Sequence, residues 1–253
     1  MVKKLLFGVI GLVVASATLP AVAADLPAGI YNKAPMMPVS YHDWTSCYVG
    51  IEGGGNWGRT QSIATGGGNP ALAGVPITGN SNLSGGLVGG TAGCNYQTSS
   101  LVLGIENDFS WTNQSGTTND LAPFDPATTN RVNEKWIDTL RGRVGFTWDR
   151  VLFYGTGGAA FTSQSVNICN GFCISDSKNR TGWAAGAGIE YAAWQNVSVK
   201  LEYLHADFGS QNFIDPAVVV GAATVVTRSV RLTDDMFRAG VNWQFTGPVI
   251  PKY

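Results

Sequence analysis

The sequence predicts an all-β protein, an eight-stranded antiparallel up-and-down transmembrane β-barrel. Three observations carry that prediction. Apolar and polar residues alternate with a period of two in segment after segment, as in strands with one apolar and one polar face. The links between these segments are alternately long and short. The chain is poor in charge (13%) and rich in glycine (33 residues), yet no segment beyond its start offers the 18 consecutive apolar residues of a spanning helix.

The first 24 residues are set aside. Lys3 and Lys4, an apolar run from Leu5 to Val14, and small residues at Ala21, Ala23 and Ala24 have the layout of a secretory signal peptide, cleaved near Asp25. Without the two lysines, acidic residues outnumber basic ones by three, and no basic block exists to hold nucleic acid. Residues 25–44, "DLPAGIYNKAPMMPVSYHDW", lack periodicity and read as a Pro-rich lead-in. The barrel is expected over 45–246 and a short C-terminal extension over 247–253.

Strands are expected at 46–58, 83–97, 100–112, 135–148, 151–165, 181–193, 197–211 and 229–245. The third sets Leu101, Leu103, Ile105 and Phe109 against Glu106, Asp108 and Ser110. In the fourth, Leu140, Val144, Phe146 and Trp148 oppose Thr139, Arg141 and Arg143; in the seventh, Val197, Val199, Leu201 and Tyr203 oppose Lys200 and Glu202. Long links fall at 59–82, 113–134, 166–180 and 212–228, and short ones at Gln97–Ser99, Asp149–Arg150 and Trp194–Asn196. Short turns at one end and long loops at the other are the pattern of outer-membrane barrels, with both termini in the periplasm and the long loops outside the cell.

Four cysteines in an exported chain suggest two disulfides. Pairing Cys47 with Cys94 across the first two strands keeps the strand parity, setting Val49 opposite Ala92 and Ile51 opposite Gly90. Cys169 and Cys173, in "CNGFC", would close a small ring in the third long loop. Zinc is the rival reading, but neither His42 nor His205 lies at ligand spacing from a cysteine pair.

Alternation alone leaves open which face looks inward. With apolar residues inside, the chain is a soluble carrier, and Gly55-Asn56-Trp57 would echo the Gly-x-Trp of lipocalins. With apolar residues outside, the polar face fills the lumen. Glu52, Glu106, Asp108, Glu190 and Glu202 would then meet Arg141, Arg143, Lys200 and Arg238, and buried charges in near balance imply an ion-pair network. Such a network is either a plug or the gate of a narrow solute path.

Several stretches carry a family resemblance: "WTSCYVGIEGGGNWG" at 44–58, "GGLVGGTAGCNYQ" in the second strand, "LRGRVGFTWDRVLFYGTGGAAF" at 140–161, "KLEYLHADFG" at 200–209 and the terminal "RAGVNWQF". In this order they resemble the small outer-membrane β-barrels of alphaproteobacteria, the immunogenic or porin-family proteins. The resemblance spans essentially the whole mature chain. It implies an outer-membrane monomer among lipids, with a structural or surface role and porin-like passage as its finer variant. It also implies that Arg238, Gly240, Trp243 and Phe245 form the signal read by the barrel assembly machinery on a last strand. Relatives commonly finish near that final Phe, whereas "TGPVIPKY" continues here.

Catalysis, a metal and a cofactor are not expected. "GTGGAA" at 155–160 lies inside a strand with no helix after it, so its glycines serve packing rather than a dinucleotide. His205 invites comparison with lipid-modifying barrels, but "HAD" offers no local serine. The apolar stretch "AVVVGAATVV" at 217–226 reads as a hairpin tip over the barrel mouth, or as a partner or haem contact.

Overall fold

The computed structural model describes residues 42–67, 70–215 and 226–245. The wall is built from β1 (Ser46–Gly67), β2 (Ser81–Thr98), β3 (Leu101–Thr112), β4 (Ser115–Asn119), β5 (Thr129–Trp148), β6 (Val151–Asn170), β7 (Phe172–Ala192), β8 (Val197–Asp215) and β9 (Val226–Phe245). Each long strand pairs antiparallel with its neighbours, and β1 pairs with both β2 and β9, so the sheet closes into a ring of eight. The short β4 pairs with β5 and touches β2 through Ser84–Ser115, filling the wall beyond the end of β3. The expected eight strands are therefore present, with the third interrupted between Thr112 and Ser115.

Register fixes the geometry. Partners followed around the ring run Cys47, Cys94, Ile105, Gly142, Gly157, Ala185, His205, Asp235 and back to β1 at Trp57, ten residues beyond the start. That stagger over eight strands goes with a strand tilt of about 40° and a lumen that side chains nearly fill.

The structure settles which face is apolar. Ile51 is 71% exposed and Val88 and Ile105 are each 63% exposed, while Glu106, Arg141, Lys200 and Glu202 are buried. Tyr96, Phe146, Trp148, Tyr191, Trp243 and Phe245 ring the short-turn end; Trp57, Trp111, Trp136 and Trp183 ring the wall farther up. An apolar exterior between two aromatic girdles rules out the lipocalin-like alternative, whose apolar face would point inward.

Two expectations about the loops are corrected. Residues 166–180 are not a loop: β6 and β7 pair as far as Asn170 and Phe172, around a tip at Gly171 with φ of 74°. Likewise β1 and β5 run nine and six residues beyond their expected bounds and β8 and β9 four and three, so the wall continues past the upper aromatic ring. The tight turns fall where expected, with Ser99 (φ 56°) and Asp149 (φ 53°) in the left-handed conformation that such turns demand. Residues 1–41, which hold the expected signal peptide and most of the lead-in, lie outside the described residues. So do the apolar stretch at 217–225 and the extension at 247–253.

Candidate functional site

The lumen is layered, and β9 displays the layers. Its inward residues, taken from the short-turn end, are Gln244, Asn242, Gly240, Arg238, Met236, Asp234, Leu232, Val230 and Arg228. That series passes from polar to charged, apolar, acidic, apolar and again charged, and the other strands contribute residues to the same levels.

At the short-turn mouth Trp44 is fully buried against Val102, Leu152, Tyr154 and Ala192. Its backbone N–H donates to Gln97 Oε1 at 2.8 Å, so the chain entering β1 turns beneath the barrel and closes it.

Above lies the charged layer. All nine residues expected there from alternation are buried and joined in one network. Arg141 contacts Glu106 at 2.8 Å, Glu202 at 3.0 Å, and Asp108. Arg143 contacts Glu190 at 2.7 Å and Glu106 at 3.3 Å. Lys200 lies 3.2 Å from Glu52 and 3.4 Å from both Glu106 and Asp108; Arg238 reaches Glu52 at 2.6 Å, Asp108 at 3.3 Å, and Glu202. Every carboxylate faces at least one cation, which is what makes burial of nine charges tolerable. Glu106, Asp108 and Glu202 are close enough together to suggest a metal site, but Arg141, Lys200 and Arg238 already supply the positive charge.

Sequence reasoning missed two members of this layer. The Tyr48 hydroxyl donates to Glu106 and accepts from Arg143 at 2.8 Å; Tyr154 donates to Glu202 at 3.1 Å, and its ring lies 4.0 Å beneath the Arg143 guanidinium. Both tyrosines stand at inward parity, and that was the available signal.

Next comes an apolar layer of Leu87, Ile137, Ala160, Ala184, Leu204, Ala206 and Met236, whose cluster continues past the next level through Phe208 and Leu232. A second polar layer follows, of Asn56, Gln114, Glu134, Thr162, Arg180 and Asp234, all buried. Above it Leu83, Val132, Val166, Phe213 and Val230 form another apolar layer. Near the long-loop rim Arg228 donates to Asn130 at 2.7 Å and lies 3.3 Å from Asp120; Ala64, Ile77 and Phe124 pack together as a further cluster.

The remaining candidates fall as follows. Disulfides join Cys47 to Cys94 on the outer face and Cys169 to Cys173 beside the β6–β7 tip. Arg238 and Gly240 point inward, Trp243 and Phe245 outward. His205 sits on the outer face, with Nδ1 2.8 Å from Asp235 Oδ1, an oxygen that also accepts from Tyr203 at 2.7 Å. Gly155, Gly157 and Gly158 lie within β6.

Comparison with known proteins matches this geometry. The family model of the outer membrane protein β-barrel domain matches residues 12–245. The chain belongs to that family. It is 32% identical over 208 residues to the 31 kDa outer-membrane immunogenic protein of Brucella melitensis, covering 77% of this chain and 84% of that protein. It is 27% identical over 240 residues to the 25 kDa outer-membrane immunogenic protein of the same organism, covering 92% and 96%. Among solved structures it is similar to the outer membrane protein OprG of Pseudomonas aeruginosa, with a TM-score of 0.49 at 13% identity over 81% of this chain and 99% of that one. By family the protein is thus an outer-membrane β-barrel, and its outer face is apolar.

Proposed function

We propose that this family member is a non-conducting surface barrel: a rigid transmembrane wall whose task is to hold its long-loop end outside the cell. The carrying observation is the layered lumen. A water-filled path would have to cross two apolar layers as well as the ion-pair network, and neither apolar layer offers an ion a hydrogen-bonding partner. This favours the plug over the gate.

The orientation follows from the same frame. With termini in the periplasm, residues 1–24 serve as the signal peptide, and Arg238, Gly240, Trp243 and Phe245 present the last strand to the assembly machinery. The extended hairpin of β6 and β7, bridged by Cys169–Cys173, then stands outside the cell, consistent with relatives named as immunogenic. No catalytic role is assigned. On the lipid-facing wall Asp235 of β9 is shared by His205 and the Tyr203 phenol of β8, an arrangement that ties these neighbouring strands together at the membrane boundary.

The test is planar-bilayer recording of refolded protein whose folding is first verified by heat-modifiable gel migration. Folded protein should give no discrete conductance steps. Reproducible single-channel steps from the unaltered chain would refute the reading. A tag inserted at Gly171 should be labelled on intact cells, and labelling only after lysis would reverse the orientation.

A further inference from the structure

We propose that the upper polar layer is a binding site for a hard divalent cation, calcium by its chemistry, built from Glu134, Asp234, Gln114 and Gln164. It rests on side-chain placement alone and stands whether or not the barrel conducts.

The charged layer below balances itself, but this one does not. Glu134 and Asp234 project inward from β5 and β9, and both are buried. Among the described residues neither forms an ion pair. Glu134 accepts only from the Thr162 hydroxyl, and its Oε2 has no partner. Asp234 accepts from neutral N–H groups alone, Gln114 Nε2 at 2.7 Å, Asn56 Nδ2 at 3.4 Å and the backbone N–H of Asp235. The cation on this level, Arg180, spends its Nη1 and Nη2 on the backbone carbonyls of Gly209 and Val230, at 3.3 and 2.9 Å. Two carboxylates, enclosed among apolar side chains, therefore lie in each other's field, with Arg180 acting on Glu134 through space and no counter-ion in contact with either. Burial of that kind is costly unless something positive joins them.

A second, independent observation indicates what joins them. Gln164 is the register partner of Glu134 and fully buried, and neither atom of its amide has a partner. Gln114 gives its Nε2 to Asp234, leaving its Oε1 equally unpartnered and buried. The Gln114 carbonyl also accepts the Glu134 backbone N–H at 3.0 Å, which ties the two residues together. The donor set is two carboxylates and two neutral amide oxygens, with no nitrogen or sulfur ligand. All-oxygen sites of mixed charge suit calcium, which tolerates irregular coordination; magnesium demands a stricter octahedron and keeps its water, and softer metals want nitrogen or sulfur.

The test uses full-length protein refolded in a non-ionic detergent and freed of metal with a chelator. Terbium serves as the luminescent calcium substitute, excited through tryptophan, since Trp136 lies two residues from Glu134. Terbium emission should saturate near one equivalent and be displaced by calcium, and calcium should raise the unfolding temperature by several degrees. The Glu134→Gln/Asp234→Asn variant should bind terbium at least tenfold more weakly and lose the calcium-dependent shift. Should that variant fail to fold, Gln164→Leu keeps both carboxylates and removes one neutral donor, and it should weaken binding several-fold. Absence of saturable emission would overturn the proposal, leaving ordered water as the occupant. So would emission and a thermal shift that survive unchanged in the variants.

Discussion

Arg141 and Glu106 are register partners on β5 and β3, and their side chains meet inside the wall at 2.8 Å. The same guanidinium also holds Asp108 and Glu202, so one residue neutralises carboxylates from β3 and β8 on different sides of the lumen. Removing it as Arg141→Ala leaves those acids short of a cation in a buried site. The expected cost is about 3–5 kcal/mol, the usual penalty for breaking a buried pair. Urea unfolding followed by heat-modifiable migration measures it. Bilayers should stay silent with this variant, because the apolar layer of Leu204, Met236 and Ile137 remains intact.

Curvature gives a second prediction. On β1, Gly54 lies where a Cβ would meet the carbonyl oxygen of Phe237 at 2.0 Å, while a Cβ at Gly53 would come no nearer than 3.5 Å to its closest neighbour. Inward positions crowd because eight strands bend the sheet sharply, whereas outward positions splay apart. Gly54→Ala should therefore fold slowly or not at all, and Gly53→Ala should refold as the parent does. Equal refolding yields for the two would show that wall curvature does not depend on inward glycine.

The disulfides should differ in worth. Cys47 and Cys94 are 47 residues apart and close a whole hairpin, whereas Cys169 and Cys173 are 4 apart. By loop-closure entropy the first is worth roughly 4 kcal/mol and the second roughly 2. Cys47→Ser/Cys94→Ser should lower the urea midpoint visibly more than Cys169→Ser/Cys173→Ser.

The lower half of this barrel was legible from alternation, and the upper half was not, for a physical reason. Below the upper aromatic ring the outer face is apolar, as a wall built for lipid requires, so Ile51, Val88, Leu140 and Val241 point outward and charges point in. Beyond it the same strands stand in water and the phase inverts. Arg59 and Arg231 face out, and Leu83, Val132, Val166 and Val230 face in. A pattern read with one fixed phase stops at the inversion, which is why expected strands ended near 58 and 165 and began near 135 and 181. The bulge in β5 between Glu134 and Ile137 falls at that boundary and hides the step further. The charge network was readable because every member lies on the single-phase part of its strand. Glu134 and Gln114 were not, since both lay in segments expected to be loops.

Trp44 supplies the last prediction. It sits before the first strand, where the sequence suggested an unstructured lead-in, yet its side chain is fully buried beneath the lumen. The other tryptophans of the described wall face outward or lie partly exposed, so Trp44 alone among them reports on the interior mouth. Trp44→Ala deletes a ring packed on Val102, Leu152 and Ala192 and should cost about 3–5 kcal/mol. If the ring only rests on an already stable wall, the mutation will leave the unfolding midpoint unchanged. If it seals the mouth, the loss will come with entry of a small aqueous quencher to the buried rings above it, Tyr154 and Tyr48, seen as a fall in tyrosine emission. Trp44→Phe separates the two contributions, because it restores most of the packing, and the Gln97 contact it keeps is made by the backbone N–H rather than the indole.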